Sequence, residues 1–285
     1  MTIIERALKK HRPAAEAALG AAKPNRVPRA PASALDPALR IPRHPAAIEH
    51  DSCRERRLLV ASDSDDDKAY VAAYRMLRTR LLHKARAGSW TSIAVTSAGP
   101  NDGKTLTVIN LALSLAREKT RDIVLLDMDM RNPSVCRALG VQPALELRDY
   151  LEHGGNLKDL FFSVEAENLL VAGSVTTTEH ASELLSSSRF DELIDTIRRG
   201  TVDPIVLIDL PPVLVTDDAL VVAPKIDAVL VVASEGFTNR SELAKALDLL
   251  SEFPLAGVVL NRAADASLDY NYAYESESSF SRKKS

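Results

Sequence analysis

The chain has 285 residues and a formal charge of −3, long for a single core, and its first sixty residues differ in composition from the rest. Charges such as Lys225 and Asp227 interrupt the longest apolar runs, and none approaches the roughly 20 residues that a membrane-crossing helix needs. The start carries Glu5 and no apolar signal core, and Cys53 and Cys136 lack metal-ligand spacing, so the expectation is a cytoplasmic chain with free thiols and no structural metal.

In chain order, Met1–Lys10 places Ile3, Ile4, Ala7 and Leu8 on one face of a short helix. Two turns are too few to stand alone, so this segment is expected either to dock on a partner or membrane surface or to fray. Residues 1–69 hold no Phe, Trp or Tyr, and seven of the fifteen prolines lie between Pro13 and Pro45. Residues 1–57 carry a net +6, which leaves −9 for the remainder. A stretch this poor in aromatics cannot bury enough apolar surface to fold alone. Residues 1–60 are therefore expected to form a disordered basic arm, 61–265 a folded domain, and 266–285 a polar tail without periodicity.

Within the domain, Asp63–Asp67 offers N-caps to a helix with Val71, Tyr74, Leu77 and Leu81 at helical spacing. Strands are predicted at Ile93–Thr96, Ile123–Asp127, Leu169–Ala172, Ile205–Asp209, Val229–Ala233 and Ala256–Asn261. Helical patterns separate them at 104–117, 189–199 and 239–252. Several strands are continuous β-branched and leucine runs, as expected where both faces are covered. The alternation predicts an α/β fold built on a doubly wound, mostly parallel sheet.

Three motifs carry chemistry. The first is Ser97-Ala98-Gly99-Pro100-Asn101-Asp102-Gly103-Lys104-Thr105, which links a strand to a helix beginning near Leu106. A turn there aims backbone N–H groups at one spot beside the positive end of a helix dipole, which suits phosphate. Gly103 spares the approach a Cβ, Lys104 brings a cation to the outer phosphates, and the Thr105 hydroxyl can ligate Mg²⁺. Ala98 departs from the usual first glycine. The second motif ends a strand in Asp127-Met128-Asp129-Met130-Arg131, and the third ends another in Asp209-Leu210-Pro211-Pro212. Carboxylates at the carboxyl edge of a parallel sheet, beside a phosphate loop, are what Mg²⁺-nucleotide chemistry requires.

This combination resembles the bacterial tyrosine kinase (BY-kinase) family, cytoplasmic autokinases of capsule and exopolysaccharide assembly. SAGPNDGKT stands for the family's phosphate loop, LLDMDMR for its D-x-D-x-R motif and VLIDLPP for its D-x-P-P motif. YRMLRTR (Tyr74–Arg80), SELLSS (Ser182–Ser187) and VLNR (Val259–Arg262) agree further, and MTIIERAL is similar to the start of members from exosortase-type loci. Asn101 replaces the usual loop glycine. Ala72 stands where the family's E-x-x-R-x-x-R association motif has its acid, before Arg75 and Arg78. His180-Ala181 replaces an Asn-Pro pair.

The resemblance implies a P-loop NTPase fold of the deviant-Walker, SIMIBI-like kind, with ATP and Mg²⁺ as cofactors. It implies ATP-dependent phosphorylation of tyrosine, with Tyr270, Tyr272 and Tyr274 of the tail as acceptors. Gly99, Pro100, Asn101, Asp102, Gly103, Lys104, Thr105, Leu106 and Asn261 would bind the nucleotide, with Thr105, Asp127 and Asp209 at the metal. Lys104, Asp127, Asp129, Arg131 and Asp209 are the catalytic candidates. A tyrosine hydroxyl ionises near pH 10, so a carboxylate accepting its proton helps, either Asp127 or Asp129; Arg131 could steady that pair or the transferred group. Implied partners are a membrane polysaccharide co-polymerase as activator, a tyrosine phosphatase and further copies of the chain, without nucleic acid, at the inner face of the cell membrane. Two other readings stay open: a partition-type ATPase switch, which carries a lysine where Gly99 stands, and a catalytically weak regulator of polymer chain length.

Overall fold

The computed structural model describes residues 41–60 and 68–263. The amphipathic start, residues 1–40 of the arm, the Asp63–Asp67 caps and the tail tyrosines lie outside the described residues. Seven strands form one sheet: β1 (Ser92–Ser97), β2 (Ile123–Asp127), β3 (Phe162–Val164), β4 (Ala166–Ala172), β5 (Ile205–Asp209), β6 (Ala228–Ser234) and β7 (Leu255–Asn261). Their spatial order is β3-β4-β2-β5-β1-β6-β7, and all pairings are parallel except β3 with β4. The six predicted strands all form. The sequence reading missed β3, because three residues are too short to show a period of two.

Helices cover both faces: α1 (His50–Glu55), α2 (Lys68–Gly88), α3 (Lys104–Ala116), α4 (Val135–Leu139), α5 (Leu147–His153), α6 (Leu157–Leu160), α7 (Ala181–Ser186), α8 (Ser188–Gly200), α9 (Asp218–Val222) and α10 (Arg240–Leu249). Successive strand residues point to opposite faces, so each strand feeds two cores. Ile93, Val95, Ile123, Leu125, Ile205 and Leu207 pack on the side of α2 and α3. Ala94, Val124, Leu126, Val206 and Ile208 pack on the side of α8 and α10. The helix α3 is apolar on nearly every face because it lies between the sheet and a second layer, α2. By contrast, α8 buries a single stripe of Phe190, Leu193, Ile194 and Ile197, and Ser187 caps its first turn.

Residues 41–60, expected to belong to the arm, instead form a strap packed on the domain. Ile41, Cys53, Leu58, Leu59 and Val60 are buried. Arg43 pairs with Asp122 at 2.7 Å, and the Ala46 N–H donates to the Ser163 carbonyl while the Ser163 N–H donates to the His44 carbonyl, a parallel bridge that prolongs the sheet edge. The buried amide of Asn110, in α3, accepts from the Leu59 N–H at 2.8 Å and donates to the Arg57 carbonyl at 3.0 Å and the Tyr70 hydroxyl at 2.8 Å. The contacts are far apart in sequence, so periodicity gives no sign of them. Asn110→Ala leaves the Leu59 N–H buried without an acceptor and is expected to cost about 2 kcal/mol in urea unfolding. A cost under about 0.5 kcal/mol would show that the strap is undocked in solution.

Candidate nucleotide site

In this sheet β1 lies between β5 and β6, so the loop after β1 opens at the carboxyl edge where chain directions diverge and ligands collect. Gly103 at the foot of α3 is left-handed (φ 84°), and a Cβ there would come within 2.1 Å of the Asn261 amide nitrogen. Asn101 is also left-handed (φ 64°). Asparagine tolerates this region better than other side chains, so the residue in the glycine's place keeps the glycine's conformation.

Asp102 is buried and braces the loop from inside. Its carboxylate accepts from the Gly99 N–H at 3.1 Å and the Thr238 hydroxyl at 2.5 Å, and its carbonyl accepts from the Asn261 amide at 3.0 Å. The loop is thereby tied to the exits of β6 and β7. Thr238 was not foreseen from the sequence, since a threonine in a connecting loop carries no signal.

Lys104, Thr105, Asp129 and Asp209 meet at one point. The Lys104 ammonium donates to Asp129 at 2.6 Å and lies 3.6 Å from Asp209; the Thr105 hydroxyl donates to the other Asp209 oxygen at 2.6 Å. Asp127 and Asp209 are register partners across β2 and β5, which fixes two buried carboxylates side by side. One Asp127 oxygen accepts from the Ser134 and Val135 N–H groups, both at 2.8 Å. The other, and one oxygen of Asp209, are buried without a hydrogen-bond donor. Gly173 permits this packing, because a Cβ there would lie 3.2 Å from the Asp127 Cβ and 2.8 Å from the Cys136 sulfur.

Electrostatics follow the geometry. Burial first, and then the neighbouring Asp209 charge, push the Asp127 carboxyl up to about 7. Burial also raises Asp209, against the pull of Lys104 and of the Thr105 hydrogen bond. Burial opposes the charge of Lys104, yet Asp209 and Asp129 outweigh it and hold the ammonium above its ordinary value. The cluster is thus short of cations. Two carboxylate oxygens without a hydrogen bond, one of them facing only Lys104 at 3.6 Å, together with the Thr105 hydroxyl, suit a hard divalent cation with oxygen ligands.

Arg131 does not steady the Asp127/Asp129 pair. Its guanidinium turns to Asp218 at 3.2 Å, to the Glu179 carbonyl at 3.2 Å and to the Ser182 hydroxyl at 3.3 Å, because Asp218 is a buried carboxylate that needs a cation. In α2, Arg78 is bound within the chain, to the Ser114 carbonyl at 2.9 Å and Glu118 at 3.3 Å, whereas Ala72 and Arg75 are exposed. Among the described residues no helix is long and apolar enough to cross a membrane.

A family model described as ParA, an NUBPL iron-transfer P-loop NTPase, matches residues 90–274. The tyrosine-protein kinase CpsD of Streptococcus pneumoniae serotype 4 is 34% identical over 176 residues, 60% of this chain and 75% of CpsD. The tyrosine-protein kinase wzc of Salmonella typhimurium is 30% identical over 224 residues, 77% of this chain and 30% of wzc. Among solved structures, the kinase domain of VpsO is similar with a TM-score of 0.61 and 27% identity, over 70% of this chain and 98% of that domain. With the phosphate loop, the strand-end aspartates and the parallel sheet in place, these matches show that the chain belongs to the ParA-like P-loop NTPases and, among them, to the bacterial tyrosine-protein kinases.

Proposed function

We propose that this protein is an ATP-dependent tyrosine autokinase of capsule or exopolysaccharide assembly that transfers the γ-phosphoryl group to Tyr270, Tyr272 and Tyr274. The observation that carries the reading is the meeting of Lys104 and Thr105 with the Asp129 and Asp209 carboxylates, with Asp127 in register beside Asp209, under a loop held in a phosphate-binding shape. Phosphoryl transfer needs little beyond positioning and charge neutralisation, and this cluster supplies both.

In the proposed reaction the N–H groups of Pro100–Gly103 that are free of proline hold the phosphates of ATP, with Gly99, Leu106 and Asn261 completing the frame. Lys104 leaves its carboxylates for the more highly charged phosphates. Thr105, Asp127 and Asp209 would hold Mg²⁺, which would supply further positive charge to the phosphates. The tyrosine oxygen bonds to the γ-phosphorus, the bond to the bridging oxygen breaks, and ADP departs. The phenolic proton passes to a carboxylate, and Asp129 suits that step better than Asp127. Both are buried, but the counter-cation of Asp129 is the one that the phosphates draw away, whereas Asp127 is held by two backbone amides.

A partition-type switch is the weaker reading, because Gly99 occupies the position of that class's loop lysine. The proposed activator is a membrane polysaccharide co-polymerase; the match to wzc, covering 30% of that larger kinase, fits a kinase unit that works with a further one. A tyrosine phosphatase and further copies of the chain complete the proposed partners, at the inner face of the cell membrane. A mixing experiment tests the acceptor assignment. Full chain carrying Lys104→Met serves as substrate for full chain in which Tyr270, Tyr272 and Tyr274 are all Phe. Phosphate is expected on the three tyrosines of the Lys104→Met chain. Its absence there, in the presence of active wild-type protein, would place the transfer within one chain or on other residues.

A further inference from the structure

We propose that Arg131, Ser182 and Asp218 are positioning residues, a clamp joining the loops after β2, β4 and β5 that aims Asp129 and Asp209 at Lys104 and the metal site. The inference rests on the Mg²⁺-nucleotide reading of that site. It assigns work to Ser182 and Asp218, which lie outside the phosphate loop and the strand ends, and it makes Arg131 a residue that acts through others.

Asp218 opens α9 and its side chain is fully buried. Both of its oxygens are taken: one by Arg131 Nε at 3.2 Å, the other by the Ser182 hydroxyl at 2.5 Å. Ser182 also reaches Asp217 at 2.8 Å and lies 3.3 Å from Arg131 Nη2, while Arg131 Nη1 donates to the Glu179 carbonyl. A backbone bond from the Thr178 N–H to the Met130 carbonyl, at 2.9 Å, fastens the same two loops a second time. Residues 128–132, 178–182 and 217–218 are thus held at one junction. A buried, charge-assisted network of this kind fixes geometry tightly, and removing one member leaves the others unpaired.

The junction connects to the site by short, stiff paths. Arg131 is two residues past Asp129, whose carboxylate holds Lys104 and whose second oxygen accepts from the Asn132 N–H at 3.2 Å. Asp218 is joined to Asp209 through Pro211-Pro212, where the rings fix φ, and the Pro211 carbonyl is pinned by the Thr96 hydroxyl at 2.7 Å. The two arms meet again where the Met128 N–H donates to the Asp209 carbonyl at 2.9 Å. A shift at the clamp therefore moves both aspartates relative to Lys104. Metal ligation is sensitive to such shifts, because outer partners that orient ligands typically change affinity by about 10–100-fold.

The test is ADP binding by the full chain, titrated with and without Mg²⁺, for wild type, Ser182→Ala, Arg131→Lys and Asp218→Asn, with the folded fraction of each measured by circular dichroism. The expected result is unchanged Mg²⁺-free affinity, within about twofold, and a loss of about tenfold in the tightening that Mg²⁺ brings. Arg131→Lys is expected to fail as a rescue, since a single ammonium cannot span Asp218, Ser182 and the Glu179 carbonyl. Ser182→Ala removes only a half-buried hydroxyl and keeps the test open if Asp218→Asn does not fold. Wild-type tightening by Mg²⁺ in folded Ser182→Ala and Arg131→Lys proteins would overturn the clamp. So would a loss of affinity that is equal with and without Mg²⁺ and tracks the folded fraction, which marks a purely structural role. No tightening in the wild type itself would instead overturn the metal-site reading, and the clamp with it.

Discussion

Lys104→Met is expected to lower phosphoryl transfer by at least roughly 10²–10³-fold, the usual cost of removing one group that stabilises developing charge. It is also expected to weaken the fold. The sequence suggests only a lost phosphate contact, but in the ligand-free protein Lys104 is the cation set among Asp127, Asp129 and Asp209. Its folded pKa is raised, so the stabilisation it gives is fully present below its ordinary value of 10.5 and is lost only as pH rises past the folded one. At neutral pH the whole contribution is in force. Removing one partner of a buried pair costs about 3 kcal/mol, and acidification should shrink that cost as the carboxylates protonate. Phosphotyrosine by mass spectrometry, beside urea unfolding at pH 5.5 and pH 8, reads both effects. Undiminished phosphorylation would remove the site assignment, and unchanged unfolding would contradict the buried ion cluster.

Asp127→Asn should separate stability from activity in the opposite sense. Asp127 is wholly buried beside Asp209, with one oxygen bare, and its carboxyl is pushed up to about 7. A carboxyl with a raised folded pKa stabilises the fold while protonated. That contribution is complete below the ordinary value of 3.8 and is lost as pH rises through about 7. The ligand-free protein should therefore lose stability between mildly acid and neutral pH. Asparagine keeps an oxygen for the Ser134 and Val135 N–H groups and turns an amide toward Asp209, which removes the like-charge repulsion. We expect Asp127→Asn to raise stability at pH 8 by roughly 1–3 kcal/mol, to flatten its pH dependence, and to lower Mg²⁺-dependent transfer by about 100-fold or more. Wild-type rates at limiting Mg²⁺ would reduce Asp127 to a cap for the turn at Ser134.

The main frame of this site is legible in the sequence because each part is local. The phosphate loop, the Asp127–Arg131 segment and Asp209 each follow an unbroken apolar run, and such runs become the central strands β1, β2 and β5. The arrangement of those parts around one ion cluster is not local. Register between β2 and β5 sets Asp127 against Asp209, and only the folded chain turns Arg131 from that pair to Asp218, 87 positions away. The strap at 41–60 escaped for a related reason. Its window is rich in proline and lacks aromatics, yet Leu58-Leu59-Val60 finds a place against α3 through Asn110, 51 positions from Leu59. The domain's own apolar surface supplies the core that the segment lacks.

The central claim is that this site moves phosphate from ATP to tyrosine. Purified full chain is incubated with Mg²⁺-ATP and digested, and every phosphorylated residue is assigned by mass spectrometry, with Lys104→Met treated in parallel. The predicted result is phosphotyrosine at Tyr270, Tyr272 and Tyr274 in the wild type and none in the variant. Steady release of ADP and inorganic phosphate by the wild type, with no phosphotyrosine at any position, would contradict it.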